Sequence, residues 1–218
     1  MFRDITHAAL SVIFPNRCPF CDGIIGAREY YCPECAASLR YIESGTAEPP
    51  QGLSELFACC GYSGAARSAV LRLKDGSYGY SAEAFGVMLT EVVGDNIRGY
   101  DALVPVPSSF GSILRRGYAP AEYIAREISR RSGVRVVTAL SASVEKEEQK
   151  HFRAAERQKN ARSSFVLSDG KNIRGKKILL IDDICTTGAT LSACAELLRE
   201  AGAAEVGGAV FAKTVGSA

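Results

Sequence analysis

The chain has no tryptophan, two methionines and two histidines, and it has no apolar run long enough to cross a bilayer. The longest candidate near the start, AALSVIF, is too short for a span. It also lacks the basic flank and small-residue cleavage site of an export signal, so a cytoplasmic protein without membrane insertion is expected. With His7 and His151 as the only imidazoles, Cys185 has no evident general base and reads as a packing residue, not a nucleophile. Grooves for single-stranded nucleic acid interleave aromatic with basic side chains. The absence of tryptophan and the scattered placement of tyrosine and phenylalanine argue against direct binding of that kind. No internal repeat or low-complexity tract is visible.

What is present suffices for a globular protein. The 218 residues are 47% hydrophobic, enough for one main domain and a small appendage. The net charge of +2 is unevenly spread: residues 98–177 hold 17 Lys and Arg against 8 Asp and Glu, and the rest hold 9 against 16. A basic middle is either a solvated face or a surface for a phosphate-rich ligand.

Residues 1–44 are punctuated by cysteine and proline and include one short amphipathic helix in ITHAALSVIF. The polar, turn-rich segment at 45–55 reads as a linker. From 56 to 218, strand patterns (LFACCGYS, DALVPVP, VRVVTA, SSFVL, KILLIDD, EVGGAVFA) alternate with helix patterns (ARSAVLRLK, SAEAFGVMLTEVV, APAEYIAREISRR, ATLSACAELLREAG). That rhythm predicts an α/β fold with a mostly parallel sheet. The polar, basic segment 145–162 shows no apolar period and is expected to be a loop or hairpin.

Eight cysteines would permit a disulfide scaffold, but four form the knuckles Cys18-Pro-Phe-Cys21 and Cys32-Pro-Glu-Cys35. Two C-x2-C pairs ten residues apart can bring four thiolates onto one tetrahedral zinc, with Gly23 easing the first turn. All-protein ligation makes such a zinc structural. Its removal is expected to loosen residues 1–44 more than the rest. Cys59 and Cys60 lie in a strand pattern and read as core.

The chemistry concentrates in ILLIDDICTTGAT. Open parallel sheets bind ligands beyond the carboxyl ends of their strands, where this run delivers Asp182 and Asp183. The following residues, Thr186, Thr187, Gly188, Ala189 and Thr190, can wrap backbone N–H groups and hydroxyls around an anion at a helix N-terminus. Two carboxylates would repel a nearby phosphate, so they should serve another part of the same ligand. A ribose phosphate fits, with its diol on the acids and its 5′-phosphate in the turn. The plainer alternative is a capped helix after a strand, with solvated aspartates.

The full order of apolar strand, Asp-Asp and Thr-Thr-Gly-Ala-Thr resembles the phosphoribosyl pyrophosphate (PRPP) motif of type I phosphoribosyltransferases. Together with FPNRCPFCDG, CPEC, LRLKDG, DALVPVPSSFGSILRRGYAPAEYIA and the spaced Gln149, Arg157 and Asn160, it resembles the ComF family over nearly the whole length. That family joins a zinc ribbon to a phosphoribosyltransferase-like domain and includes DNA-uptake competence proteins. The resemblance implies PRPP with Mg2+ as ligand, and single-stranded DNA or competence-machinery proteins as further partners. It also implies a pyrophosphate loop at Pro107–Ser112 using Ser108 and Ser109, with Arg115, Arg116 and Lys74 offsetting charge. A flexible hood would bring Arg157 to a phosphate, with Gln149 and Asn160 as closing contacts. Catalysis would rest on Asp182, Asp183 and Arg157. Where relatives commonly read Arg-Gly-Phe-Asn-Gln, this chain has Arg116-Gly117-Tyr118-Ala119-Pro120. Any role of those amides in reading a base or acceptor does not carry over to this chain, while Pro120 is suited to open a helix. Two-ribbon relatives carry additional cysteine pairs that are absent here, and no glutamine-hydrolysing domain is present.

Overall fold

The computed structural model describes residues 15–75, 80–143, 162–170 and 172–214. A short helix α1 (Pro33–Ala37) lies in the cysteine-rich part. It is followed by β1 (Thr46–Ala47), β2 (Leu56–Gly61), α2 (Gly64–Asp75), α3 (Tyr80–Val93), a 3-10 turn (Gly94–Gly99) and β3 (Ala102–Pro105). Then come α4 (Phe110–Arg116), α5 (Pro120–Ser132), β4 (Leu140–Ala142), β5 (Phe165–Leu167), β6 (Lys177–Cys185), α6 (Ala189–Glu200) and β7 (Glu205–Lys213).

Five strands form one sheet in the order β1-β2-β7-β6-β3. Only the β1–β2 pair is antiparallel; β2–β7, β7–β6 and β6–β3 are parallel. The fold is α/β with a mostly parallel sheet. Strands buried on both faces read as continuous apolar runs, and β2, β3 and most of β7 are buried throughout. Along β6 the pleat sends Ile178 and Leu180 into one core and Leu179 and Ile181 into the other. The first core packs with Leu191 and Leu198 of α6; the second packs with Phe85 of α3 and Ile124 of α5.

Local rules explain the helix ends. Pro120 opens α5 and Gly133 closes it in the left-handed conformation. Gly117 does the same for α4. The seven-residue α4 falls where a turn was expected, because Ser109 caps it with its Oγ accepting from the Ser112 N–H at 3.3 Å. Val134–Ala139 was expected to be a strand but contributes a single bridge, Val136 to Leu103. The chain instead turns into β4, which pairs with β5 as a separate two-stranded hairpin.

The segment 45–55 lies against the sheet. Its β1 residues pair with β2, the Ser54 N–H donates to the Val206 carbonyl at 2.8 Å, and Leu53 is buried in the α6-side core. The cysteine-rich part also shares the core: Phe20, 4% exposed, packs on Phe85 and Phe211 with ring centroids 6.4 and 6.1 Å away. Part of the basic middle is paired locally. Arg126 pairs with Glu122, and Arg130 and Arg131 both pair with the buried Glu127 at 2.7 and 2.6 Å.

Candidate ribose-phosphate site and metal centre

Strand β6 is flanked on both sides, so its carboxyl end opens into the middle of the sheet's rim. There Asp182 and Asp183 border a cleft of about 360 Å³, together with Lys74, Pro107, Ser108, Arg116, Thr186 and Thr190. Phe165 from the β4–β5 hairpin, Pro120, Ala121 and Ile184 complete much of its wall. Sequence patterns gave no reason to place Phe165, Pro120 or Ala121 at the cleft, because their part in it depends on the hairpin and α5 folding toward β6.

The two acids differ. Asp183 is 4% exposed, and its Oδ1 lies 3.1 Å from Nζ of Lys74, delivered by the last turn of α2. Asp182 accepts the Asp183 N–H on its Oδ1 at 2.8 Å. Burial first, and then the neighbouring Asp183 charge, push the Asp182 carboxyl well above its ordinary range, while Lys74 pulls the other way. A site with two close carboxylates and one ammonium favours a ligand that brings hydroxyl donors or a cation.

Next to the acids, Thr186 and Thr187 are exposed, and Gly188 turns the chain at φ +79° into α6. No side chain caps this helix from Gly188. The Ala189 N–H is met only by the Thr187 hydroxyl at 3.4 Å. Other first-turn N–H groups have no such partner within the helix by its geometry and point to where an anion would sit. Opposite, Arg116 is partly buried, and its Nε is enclosed without a hydrogen-bond partner among the described residues. An enclosed unpaired guanidinium nitrogen is costly unless a ligand meets it.

Of the residues expected at the site, Lys74, Pro107, Ser108, Arg116, Asp182, Asp183, Thr186 and Thr190 border this one cleft. Thr187, Gly188 and Ala189 adjoin it in the chain. Ser109 is exposed and occupied as the α4 cap, and Arg115 is exposed on the helix. Gln149, Arg157 and Asn160 lie outside the described residues.

In the other centre, the sulfurs of Cys18, Cys21, Cys32 and Cys35 all lie within 4.8 Å of one another, with Cys21 and Cys32 3.8 Å apart. That compactness fits four thiolates about one zinc. Burial opposes ionisation of Cys18, but the backbone N–H groups of Cys32, Cys21 and Phe20 bring its thiol down to about 7. The remaining cysteines are packing residues: Cys59, Cys60, Cys185 and Cys194 are buried, and desolvation raises their thiols.

Residues 110–217 match the phosphoribosyl transferase domain, and residues 9–46 match the double zinc ribbon domain. The chain joins a zinc ribbon to a phosphoribosyltransferase domain. Among the described residues the ribbon forms one four-cysteine cluster. The chain is 31% identical over 108 residues to Competence protein F of Haemophilus influenzae, covering 49% of this chain and 47% of the relative. It is 49% identical over 45 residues to adenine phosphoribosyltransferase of Mycobacterium avium, covering 21% of this chain and 25% of the relative. The match thus spans less than half of either curated relative. Among solved structures, the phosphoribosyltransferase fold is similar to the allosteric regulatory enzyme of purine biosynthesis. The TM-score there is 0.43 at 21% identity, over 59% of this chain and 25% of that one. A purine phosphoribosyltransferase from Pyrococcus horikoshii gives a TM-score of 0.36 at 17% identity, over 60% and 71%. Among the described residues no helix is long and apolar enough to cross a membrane.

Proposed function

We propose that the phosphoribosyltransferase domain binds PRPP and transfers its phosphoribosyl group to an acceptor, releasing pyrophosphate. The observation that carries this reading is the shared cleft: two acids at the end of a central parallel strand, a turn of hydroxyl and small residues directly after them, Lys74 paired with Asp183, and Arg116 on the same wall.

The ribose diol would donate to Asp182 and Asp183, with the 5′-phosphate in the Thr186–Thr190 turn. The pyrophosphate would face Ser108 and Arg116, with Lys74, already paired with Asp183 at 3.1 Å, beside it. As the bond from C1 to pyrophosphate oxygen breaks, its electron pair leaves with pyrophosphate. The acceptor's lone pair forms the new bond at C1, and the acceptor's proton goes to solvent. The acids hold the sugar where positive charge develops, and the cationic side chains stabilise the departing oxygens. Mg2+ bound with PRPP would neutralise part of the pyrophosphate charge.

Calorimetric titration of PRPP with Mg2+ into the wild type and an Asp182→Ala/Asp183→Ala variant tests binding. Saturable heat lost in the variant is expected, and no heat with the zinc-loaded wild type would sink the reading. Pyrophosphate release with candidate bases and amines then separates a transferase from a PRPP-binding regulator without turnover. A second reading, association with DNA or the competence machinery, is favoured by the likeness to Competence protein F. It predicts salt-sensitive oligonucleotide binding that weakens on replacing Arg115 and Arg116.

A further inference from the structure

Three consecutive residues at the end of α2 face three different parts of the molecule. Arg72 donates from one Nη1 to the carbonyls of both Pro19 and Phe20, each at 2.9 Å. Those carbonyls lie inside the first cysteine knuckle, between Cys18 and Cys21. The Leu73 carbonyl accepts the hydroxyl of Tyr118, in the turn that directly follows Arg116. Lys74 pairs with Asp183. The ribbon, the arginine-bearing turn and the acid pair thus meet on a single helical turn.

We propose that Arg72 is a positioning residue, clamping the end of α2 to the metal-binding knuckle and so fixing Lys74 and Tyr118 where the PRPP cleft requires them. The physical case rests on freedom removed. A lysine near a helix end has a long stem with many rotamers, and the last turn of a helix frays unless something holds it. Two charge-assisted bonds from Arg72 to one loop hold this turn. Convergence of Cys18 and Cys21, which bracket that loop, restrains its shape. Phe20, seated on Phe85 and Phe211, anchors the same loop in the core. Metal binding in the ribbon therefore supports ligand binding in the other part of the chain, through Arg72.

The consequence for PRPP rests on the proposed function above, so the test has two arms, both on the full-length zinc-loaded chain. The first does not involve PRPP. Hydrogen exchange and amine labelling are compared between wild type, Arg72→Ala and Arg72→Lys, with zinc content and circular dichroism verifying that each variant is folded and loaded. Faster exchange at residues 72–75 and faster labelling of Lys74 are expected in Arg72→Ala, with partial recovery in Arg72→Lys. Unchanged exchange and labelling overturn the clamp. Chelation of the wild type should reproduce the Arg72→Ala pattern, and protection retained at 72–75 after zinc removal overturns the link to the metal.

The second arm measures PRPP affinity with Mg2+. Arg72→Ala and Lys74→Ala should each weaken binding about tenfold, the scale of one charge-assisted contact. The double variant should be no weaker than Lys74→Ala alone, because both changes remove one function. Wild-type affinity in Arg72→Ala, or losses that multiply to about a hundredfold, overturn the proposal. If the wild type itself does not bind PRPP, the functional reading fails, and the first arm alone decides the clamp.

Discussion

Pro50 stands against Gly188: a Cβ added at Gly188 would come within 2.6 Å of the proline Cγ. A residue of the segment between the ribbon and the first long strand thus backs the turn that leads into α6. Gly188 also holds φ +79°, so both its space and its backbone demand glycine. Gly188→Ala should lower stability by about 1–3 kcal/mol and weaken PRPP binding. Because the Pro50 Cβ would also lie 2.7 Å away, the double change Pro50→Gly/Gly188→Ala, set against Pro50→Gly alone, should recover the steric part and leave the backbone part, as read from urea midpoints. An equal cost of Gly188→Ala with and without Pro50 would remove Pro50 from the account.

Asp182 is held in an environment that disfavours its charge, as carboxylates of functional clefts often are. Its folded carboxyl titrates above the unfolded one, so the folded chain loses stability as pH rises through the window between those two values. Asp182→Asn should therefore raise the thermal midpoint of the unliganded protein at neutral pH, with the gain fading as pH falls and the wild-type acid takes up its proton. The same variant should lose PRPP affinity. A gain that is equal at all pH values would mean that the carboxyl's charge is not the cause.

Arg116 offers a similar trade. Its enclosed Nε has no hydrogen-bond partner among the described residues, and removing such a donor costs little or stabilises. Arg116→Met should keep or raise the thermal midpoint while weakening PRPP binding. A large drop in the midpoint with unchanged affinity would reassign Arg116 to structure.

Phe20 ties the ribbon to the sheet. Phe20→Ala should cost about 3–5 kcal/mol, with the loss spread over the whole unfolding transition because Phe85 and Phe211 line its pocket. Chelation should lower the same transition and raise protease sensitivity within residues 15–44. Two separate transitions in the wild type would show that the ribbon and the sheet unfold independently.

Much of this was legible in the order of residues. An apolar run ending in Asp182 and Asp183, followed by small and hydroxyl residues, specifies a strand, a tight turn and a helix start by local rules alone. Those same rules place the acids beside the exposed hydroxyls of Thr186 and Thr190. The C-x2-C spacings likewise bring four sulfurs together with little help from the rest of the chain. Periodicity located β6, β7, α3, α5 and α6, because each buries a continuous face.

Tertiary packing decided what local patterns leave open. Val136 joins β3 by a single bridge because the chain then turns into the β4–β5 hairpin, and that hairpin's Phe165 becomes a wall of the cleft. The basic stretch 98–177 looked like one charged face, yet on α5 Arg126, Arg130 and Arg131 are tied to Glu122 and Glu127, one helical turn away, and are not free cations. Above all, the short sequence from Arg72 to Lys74 gives no sign of its reach. A helix fixes which directions its side chains take, but only the docking of the ribbon on one side and of β6 on the other determines that Arg72 meets a cysteine knuckle and Lys74 meets Asp183.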